Sequence, residues 1–385
     1  MNSRKHLNPF VLGGVVTGKQ FAGRSAEVAR LRAIAEAGQH VFLFAPRRYG
    51  KTSLLREALD PEATSRRLLL VWCDCLPTVN EASLTKRLAE AVVRASRAGR
   101  LTEWAKEAAN LFRRLRPTVT AGPGGEVSAT VELGPPGSKG SADLEDALEA
   151  VGALARGRGK PVAVVFDEFQ QMAEWDPAHH TEAVIRTVIQ HQRGVAYCFA
   201  GSQHHLLQRM FTDRARPLFK LAAPFPLGRL SDDELEPWLQ KRFLETDHKL
   251  EPAALQTLLG HAEGHPWAAQ FLAYFVWEAA MAAGEAVVDA AGVERGLAEA
   301  LRVGETIYAR DATAVTPPQR RVLTAIARES TTTATAAGYI ARHELPAKST
   351  VAQALGSLIE KGYVEAIGDL AVVSDPLFAE WLRRR

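Results

Sequence analysis

Four short runs of apolar residues are spaced along residues 20–228, and longer amphipathic stretches separate them. A run that is apolar throughout, rather than at every second position, is typical of a strand buried on both faces of a parallel sheet. The pattern therefore predicts an α/β fold in which helices cover both faces of such a sheet. The four predicted strands are His40–Ala45, Leu68–Cys73, Val162–Phe166 and Val195–Ala200.

The amphipathic stretches between these strands predict helices, with one exception. Residues 117–141 are rich in Gly and Pro, and apolar positions alternate with polar ones in the middle of the segment. This composition predicts an inserted hairpin or flexible loop within a core domain that spans residues 1–228. The predicted helices are Ser25–Ala37, Thr52–Leu59, Ser83–Ala98 and Thr181–Gln192.

Strand patterns are lacking in residues 229–300, which predict a helical lid. The predicted helices are Asp232–Thr246, Ala253–His261 and Pro266–Ala283. The last of them is dense in aromatic residues, which we interpret as packing against the core rather than as a binding face.

Residues 301–385 have the pattern of a winged helix-turn-helix domain. Three predicted helices, Pro318–Ala327, Ala334–Arg342 and Lys348–Lys361, precede an alternating segment that turns at Gly368. The third helix would be the recognition helix. Residues 312–385 contain nine Lys and Arg against seven Asp and Glu, which is a weak electrostatic footprint for DNA. The pattern favours a protein-contacting or regulatory wing, and DNA binding is the alternative.

Composition narrows the class of protein. The chain has 385 residues, of which 46% are hydrophobic and 24% charged, and its formal net charge is +3. These values are ordinary for a soluble, multidomain protein. No apolar run reaches the roughly 18 residues of a membrane span, and no signal-peptide pattern follows the start, so we expect a cytoplasmic protein with no membrane partner. The three cysteines lack metal-site spacing and predict buried, reduced thiols.

The strongest local motif follows the first predicted strand and reads APRRYGKTS, from Ala45 to Ser53. It matches the phosphate-binding (Walker A) pattern G-x-x-x-x-G-K-[ST], except that Ala45 replaces the first glycine. Backbone N–H groups and a helix N-terminus are needed there to surround a pyrophosphate. Lys51 would reach the β- and γ-phosphates, and the Thr52 hydroxyl would bind Mg²⁺. The predicted phosphate-binding residues are Pro46, Arg47, Arg48, Tyr49, Gly50, Lys51, Thr52 and Ser53.

Two acids follow the third predicted strand, in the manner of a Walker B motif. Asp167 and Glu168 come directly after the run VAVVF. They would lie at the carboxyl edge of the sheet, where ligands of α/β proteins bind. Asp167 is the predicted Mg²⁺ ligand, directly or through water, and Glu168 the predicted general base. The alternative is a helix start at which both acids only favour the helix dipole.

Further candidates follow the fourth predicted strand. Ser202 would sit between the two acids and the γ-phosphate. Arg214 and Arg216 lie further along the chain and could stabilise charge in the transition state. The alternative for either arginine is a solvated surface position.

In this order, the motifs resemble the archaeal-type ATPase family of the AAA+/STAND branch of P-loop NTPases. The resemblance extends over essentially the whole chain. It is carried by Asn8-Pro9-Phe10, the segment FAGRSAE at residues 21–27, APRRYGKTSL, VVFDEFQ, FAGSQ, DRARPLF and Gly264-His265-Pro266.

The resemblance implies a fold and several site residues. It implies a parallel sheet of order 5-1-4-3-2, a helical lid and a C-terminal winged helix. It also implies that Ser202 is a sensor, and that Arg214 or Arg216 is an arginine finger that reaches a neighbouring copy of the chain. The implied residues near the base or phosphates are Phe10, Phe21, Gly23, Arg24, His265 and Pro266.

We therefore expect an ATPase that requires Mg²⁺, converts ATP to ADP and phosphate, and couples its nucleotide state to a change of conformation or to assembly. Its expected partners are ATP, further copies of itself, and a protein or DNA bound through the winged helix. The alternative is a nucleotide-gated switch or DNA-binding regulator in which slow hydrolysis only resets the conformation.

Overall fold

The computed structural model describes residues 7–60, 67–97, 115–121, 127–133 and 144–385. The chain divides into two compact units. The first, here the sheet unit, comprises Ser25–Ala45 and Lys51–Leu227. The second, here the helical unit, comprises Met1–Arg24, Pro46–Gly50 and Gly228–Arg385.

The sheet unit is built on a five-stranded parallel sheet. Its order along the sheet is β2-β5-β6-β1-β7. When these five strands alone are numbered in chain order, this is the order 5-1-4-3-2, so the fold class and topology implied by the resemblance are confirmed. The strands are β1 (Val41–Phe44), β2 (Leu69–Asp74), β5 (Val162–Asp167), β6 (Val195–Gly201) and β7 (Ala223–Pro226), while β3 (Leu115–Ala121) and β4 (Val127–Leu133) pair with each other.

The edge strand β7 is absent from the four predicted strands. Pro224 and Pro226 argue against a strand because proline cannot donate a backbone hydrogen bond. An edge strand has one free side, however, and β7 pairs only with β1 in this sheet, in parallel register from Ala223 to Pro226. The antiparallel pair β3 and β4 agrees with the predicted hairpin, and its further residues lie outside the described part of the chain.

Helices and buried aromatic rings complete the sheet unit. Phe42 stacks on Phe211 with ring centroids 4.8 Å apart, and Phe199 contacts both Phe166 and Phe211. All seven residues of β6 are buried, as the apolar run predicts. The helices are α1 (Ser25–Glu36), α2 (Lys51–Leu59), α3 (Glu81–Arg97), α4 (Leu144–Arg158), α5 (Met172–Trp175), α6 (His180–Ile189) and α7 (His204–Thr212).

The helical unit has one continuous apolar core. The aromatic residues of the predicted helix Pro266–Ala283 pack in or against this core, which confirms their structural interpretation. The elements before the winged helix are α8 (Asp232–Leu244), β8 (Lys249–Leu250), α9 (Pro252–Ala262), α10 (Pro266–Ala283), β9 (Val287–Val288) and α11 (Ala290–Thr313).

Helix α11 is not among the predicted helices, and it contains three glycines, a residue type that lowers helix propensity. Gly296 instead permits close packing: a Cβ at this position would lie 2.6 Å from the Cα of Val276 in α10. The helix is continuous across residue 300, where the predicted boundary between lid and winged helix falls.

The winged helix has the predicted three helices and antiparallel strand pair. Its elements are α12 (Pro317–Arg328), α13 (Ala337–Arg342), α14 (Lys348–Glu360), β10 (Val364–Ile367), β11 (Leu370–Val373) and α15 (Pro376–Arg383). Only the final helix, α15, is absent from the predicted elements. Among the described residues, no helix is both long and apolar enough to cross a bilayer.

Candidate active site

The side chain of Lys51, at the start of α2, is directed back to the end of β1. The Lys51 Nζ atom donates to the carbonyl oxygen of Ala45 at 3.0 Å, and the lysine is only 6% exposed. Gly50 has φ +80°, which favours glycine. Ala45 has no positive φ, so its Cβ is accommodated where the sequence pattern has a glycine. Ser53 is buried in the first turn of α2.

Thr52 and Asp167 form the second part of the site. The Thr52 hydroxyl donates to Oδ2 of Asp167 at 3.0 Å. Burial raises the pKa of Asp167, the hydrogen bond from Thr52 opposes that rise, and the nearby Glu168 and Asp74 add to it. A buried carboxylate beside other acids favours a cation, and a hydroxyl with a carboxylate is a hard oxygen donor set. These two residues therefore fit Mg²⁺.

Glu168 lies beside Asp167 but is directed elsewhere. Its backbone is in the left-handed region at φ 52° and ψ 41°, which is uncommon for a residue with a side chain. Its Oε2 atom accepts a hydrogen bond from the Ser202 hydroxyl at 2.7 Å. The end of β5 and the residue after β6 are thus joined, because the two strands are parallel neighbours. The sheet unit brings together Lys51, Thr52, Ser53, Asp167, Glu168 and Ser202 at the carboxyl ends of its strands.

The structure separates the two candidate arginines. Arg216 donates two hydrogen bonds to Glu182, and both side chains are buried or nearly so. Arg214 is exposed, and within the described residues it has no hydrogen bond or ion pair. Of the pair, Arg214 is the one that is available to another molecule.

In the helical unit, two of the residues predicted to lie near the base, Phe10 and Arg24, make structural contacts within the unit. Phe10 packs against Trp238 and Phe243 in the core. The buried guanidinium of Arg24 donates to the carbonyl oxygens of Gly228 at 2.7 Å and Tyr49 at 3.3 Å. Phe21 and Gly23 are half-buried.

His265 is the N-cap of α10, directly before Pro266. Its Nδ1 accepts a hydrogen bond from the backbone N–H of Ala268 at 3.1 Å. Burial, together with the positive charges of Arg229 and Arg48, lowers the pKa of His265 to about 3. The imidazole is therefore neutral at physiological pH, and Pro266 occupies the first helical turn, where its missing N–H costs nothing.

The loop residues Arg48 and Tyr49 contact the winged helix within the helical unit. The Tyr49 hydroxyl donates to Glu365 of β10, and Arg229 donates to the same Oε1 atom at 2.7 Å. Arg48 donates to Asp375 at 3.2 Å and lies over the ring of Trp267, 4.1 Å from its centroid. Burial, followed by the charge of Glu365, raises the pKa of Tyr49. Pro46 is half-buried and Arg47 is exposed.

Sequence reasoning did not find this set of contacts. Residues 49 and 365 are far apart in the chain, and Glu365 has no motif around it. The one feature of the sequence that pointed to them is that Arg48 and Tyr49 place large side chains at two unspecified (x) positions of the Walker A pattern.

Comparisons with known proteins agree with this geometry. Residues 20–199 match the model of the AAA ATPase domain family. The chain is thus similar to AAA ATPases over this segment, and it is an ATPase, which binds and hydrolyses ATP. Residues 306–384 match the model of a probable winged helix domain. The predicted combination of an ATPase domain with a C-terminal winged helix agrees with both matches, and membership of the archaeal-type family and of the STAND branch stays a prediction.

Solved structures show the same fold over the whole ATPase. The Walker-type ATPase PABY2304 of Pyrococcus abyssi is 17% identical, with a TM-score of 0.64, and the alignment covers 97% of this chain and 99% of that chain. The ORC2 protein of Aeropyrum pernix, in ADPNP–ADP complexes, is 16% identical with a TM-score of 0.58, covering 95% of each chain. At these identities the likeness concerns the fold. No curated protein sequence matches the chain significantly.

Proposed function

We propose that this ATPase requires Mg²⁺ and couples the hydrolysis of ATP to ADP and phosphate to a change in the conformation or assembly of the protein. The observation that carries the proposal is the pair Asp167 and Glu168, two adjacent acids whose side chains have different partners. The ADPNP–ADP complexes of the Aeropyrum pernix protein also support ATP and ADP as the ligands.

Each candidate site residue in the sheet unit has a distinct proposed role. Lys51 leaves the carbonyl of Ala45 and binds the β- and γ-phosphates, while backbone N–H groups of the loop bind the remaining phosphate oxygens. Thr52 and Asp167 would hold Mg²⁺, which neutralises phosphate charge when it is bound. Glu168 accepts a proton from the attacking water as the water oxygen bonds to the γ-phosphorus and the bond to ADP breaks. Ser202 orients Glu168 and senses the γ-phosphate.

Two substitutions test binding and chemistry separately. Lys51→Ala should abolish ATP binding in a calorimetric titration, because the lysine supplies the cation for the phosphates. Glu168→Gln should bind ATP with unchanged affinity and hydrolyse it about 10²–10⁴-fold more slowly, as expected for the loss of a general base. Wild-type turnover in Glu168→Gln would exclude Glu168 as the base, and unchanged affinity in Lys51→Ala would exclude the phosphate site.

The contacts of Tyr49 and Arg48 with the winged helix support the coupling part of the proposal. Both residues belong to the phosphate-binding loop by sequence, and Glu365 and Asp375 belong to the winged helix. A loop that rearranges around phosphate would alter these four side chains. Nucleotide should therefore change hydrogen exchange in β10 of the wild type, and Tyr49→Phe should reduce that change.

A matched control is available within the winged helix itself. Tyr339→Phe removes a hydroxyl that donates to the carbonyl oxygen of Glu329 at 2.8 Å. This bond involves neither Arg48 nor Tyr49. This variant should retain the full nucleotide response. Equal responses of the wild type and Tyr49→Phe would argue against coupling through Tyr49.

Assembly is the part of the proposal that rests on Arg214. An exposed arginine without a partner among the described residues is suited to stabilise the transition state in a neighbouring copy. A mixture of inactive Arg214→Ala and inactive Lys51→Ala proteins should then recover part of the activity. No recovery, with specific activity independent of protein concentration, would favour a monomeric enzyme.

The second candidate function is a nucleotide-gated switch, and the Tyr49–Glu365 contact favours it as well. A switch would retain ADP through purification, whereas a motor would turn over steadily. DNA binding receives less support, because the exposed residues of α14 carry no net charge: Lys348 and Glu360 have opposite charges, and Ser349, Ala352, Gln353 and Gly356 have none. We also propose that the chain is divided into a core, a lid and a winged helix, and that the protein is cytoplasmic.

A further inference from the structure

Glu168 has a second hydrogen-bond partner besides Ser202, and this partner, Gln170, is buried. The side-chain amide of Gln170 donates from Nε2 to Oε2 of Glu168 at 2.6 Å. The same oxygen accepts from the Ser202 hydroxyl at 2.7 Å and from the Ser202 backbone N–H at 3.3 Å. The other oxygen, Oε1, accepts no hydrogen bond from the described part of the chain. One carboxylate oxygen is thus held by three donors, and the other is left for a ligand.

The fold reserves space for the Gln170 amide. Gln170 is 3% exposed, and a Cβ added to Gly201 would lie 2.0 Å from Gln170 Oε1 and 3.1 Å from its Cδ. Gly201 has no positive φ, so its lack of a side chain is explained by this approach rather than by backbone conformation. Oε1 of Gln170 is buried without a hydrogen-bond partner, an arrangement that is unfavourable for stability.

The backbone between the two residues sets the direction of both side chains. Glu168 precedes a single 3₁₀ turn, Phe169–Gln171, and its carbonyl oxygen accepts from the Gln171 N–H at 3.0 Å. The left-handed conformation of Glu168 is strained for a residue with a Cβ. The chain therefore accepts backbone strain and an unpartnered amide oxygen in the same place.

We propose that Gln170 is a positioning residue for ATP hydrolysis, which together with Ser202 fixes Oε2 of Glu168 and so presents Oε1 to the attacking water. This inference rests on the proposed function, in which Glu168 is the base. A hydrogen bond to a charged group contributes about 1.5–3 kcal/mol, which corresponds to roughly 10–100-fold in rate when it acts only on the reaction.

The test is Gln170→Met, which keeps the length of the side chain and removes the donor. We expect kcat to fall about 10–100-fold while KM and the Kd for ATP stay within about twofold, because binding does not involve Glu168. The melting temperature should hold or rise, since the variant also removes the unpartnered Oε1. The matched control is Gln171→Met: Gln171 lies in the same turn and bonds Glu174 at 2.7 Å on the surface. Its kcat should not change.

A second variant displaces the Gln170 amide without replacing Gln170 or Glu168. Gly201→Ala places a methyl group where Gln170 Oε1 lies, and it should lower kcat by a factor similar to that of Gln170→Met. Normal kcat in a folded Gln170→Met protein would overturn the proposal. If that variant does not fold, normal kcat in Gly201→Ala would do so, and a kcat loss there with unchanged KM would support it.

A double variant distinguishes this inference from the proposed function. Adding Gln170→Met to Glu168→Gln should cost no further rate in single-turnover measurements, because Gln170 acts through the carboxylate. An additional loss of the same size would show that Gln170 acts independently of Glu168 and would overturn the inference. Wild-type turnover of Glu168→Gln alone would instead refute the base, and with it both proposals.

Discussion

The acids around Arg229 and Arg48 in the helical unit and those at the end of β5 have opposite surroundings. In the helical unit, Glu365 and Glu263 both bind Arg229, and Asp375 binds Arg48. In the sheet unit, Asp167 binds the hydroxyl of Thr52, and Glu168 binds a hydroxyl and an amide. The first set is paired with arginines, whereas the second accepts hydrogen bonds from uncharged groups.

The difference indicates which acids fasten the fold and which serve a ligand. A buried charge is costly unless it is paired, so arginine partners make the wing acids structural. Asp167 has acids nearby, and burial raises its pKa. Its environment is unfavourable for the nucleotide-free protein and favourable for a bound cation. Each of the following predictions tests one side of this comparison.

The largest expected effect belongs to an arginine-paired acid in the sheet unit. Arg216→Ala leaves Glu182 buried without its arginine partner, and burial already raises the pKa of that carboxyl. We expect a loss of about 3–5 kcal/mol in the free energy of unfolding and a melting temperature roughly 10 °C lower. Thermal unfolding followed by circular dichroism measures both.

The neighbouring arginine provides the control for that measurement. Arg214→Ala should leave the melting temperature unchanged, since Arg214 is exposed and forms no ion pair with the described residues. Equal melting temperatures for Arg216→Ala and the wild type would show that pairing with arginine does not by itself make an acid structural here.

Asp167→Asn should affect activity and stability in opposite directions. Removing the carboxylate should lower the rate of hydrolysis about 10²–10³-fold, because a preorganised charge at the phosphates is lost. The nucleotide-free protein should become more stable, by about 1 kcal/mol, because a buried charge disappears. Steady-state kinetics and urea unfolding at neutral pH test the two halves. Destabilisation would mean that Asp167 is structural, like the wing acids.

A pH titration tests the arginine-rich side of the comparison. The pKa of His265 is about 3 in the folded protein and about 6.5 when unfolded, so only the unfolded state binds this proton between those values. Stability should therefore fall as pH decreases through this window, by about 1.6 kcal/mol between pH 6.5 and pH 5. His265→Asn preserves an N-cap acceptor and should flatten this slope. An unchanged slope would assign it to other groups.

The smallest effect concerns a pair on the surface. Arg302 donates to Glu299 at 2.8 Å, but both side chains are exposed. Glu299→Gln should cause no measurable change in melting temperature, because solvent screens such pairs. A large loss would show that pairing rather than burial decides which acids are structural.

Much of the fold follows from local patterns in the sequence. Runs such as VAVVF before Asp167 are apolar at every position because both faces of the sheet are covered, and this property is visible without a structure. Strand β7 is not visible in this way, because Pro224 and Pro226 are tolerated only through its position at the sheet edge. Gly296 similarly suggests a break until its contact with Val276 is known.

The residues of the candidate site also fall into two groups: those that local motifs predict and those that depend on packing. Lys51, Thr52, Asp167 and Glu168 are predictable because their chemistry depends on short motifs beside strands. The partner of Arg216 is not, since Glu182 lies 34 residues away, in helix α6. Sequence reasoning treated Arg214 and Arg216 alike, and only packing distinguishes them. The role of Gln170 depends on one oxygen atom of Glu168, which no pattern of residue types records.

The helical unit is assembled from three separated stretches of chain, and one of them has only the five residues Pro46–Gly50. A gene fragment ending near residue 227 would keep Tyr49 and lose Glu365 and Arg229, whereas the complementary fragment would lose Tyr49. Recombination between related genes at that point would pair a tyrosine with a wing that had not been selected to receive it. Tyr49 and Glu365 should therefore be inherited and exchanged together, although 316 positions separate them.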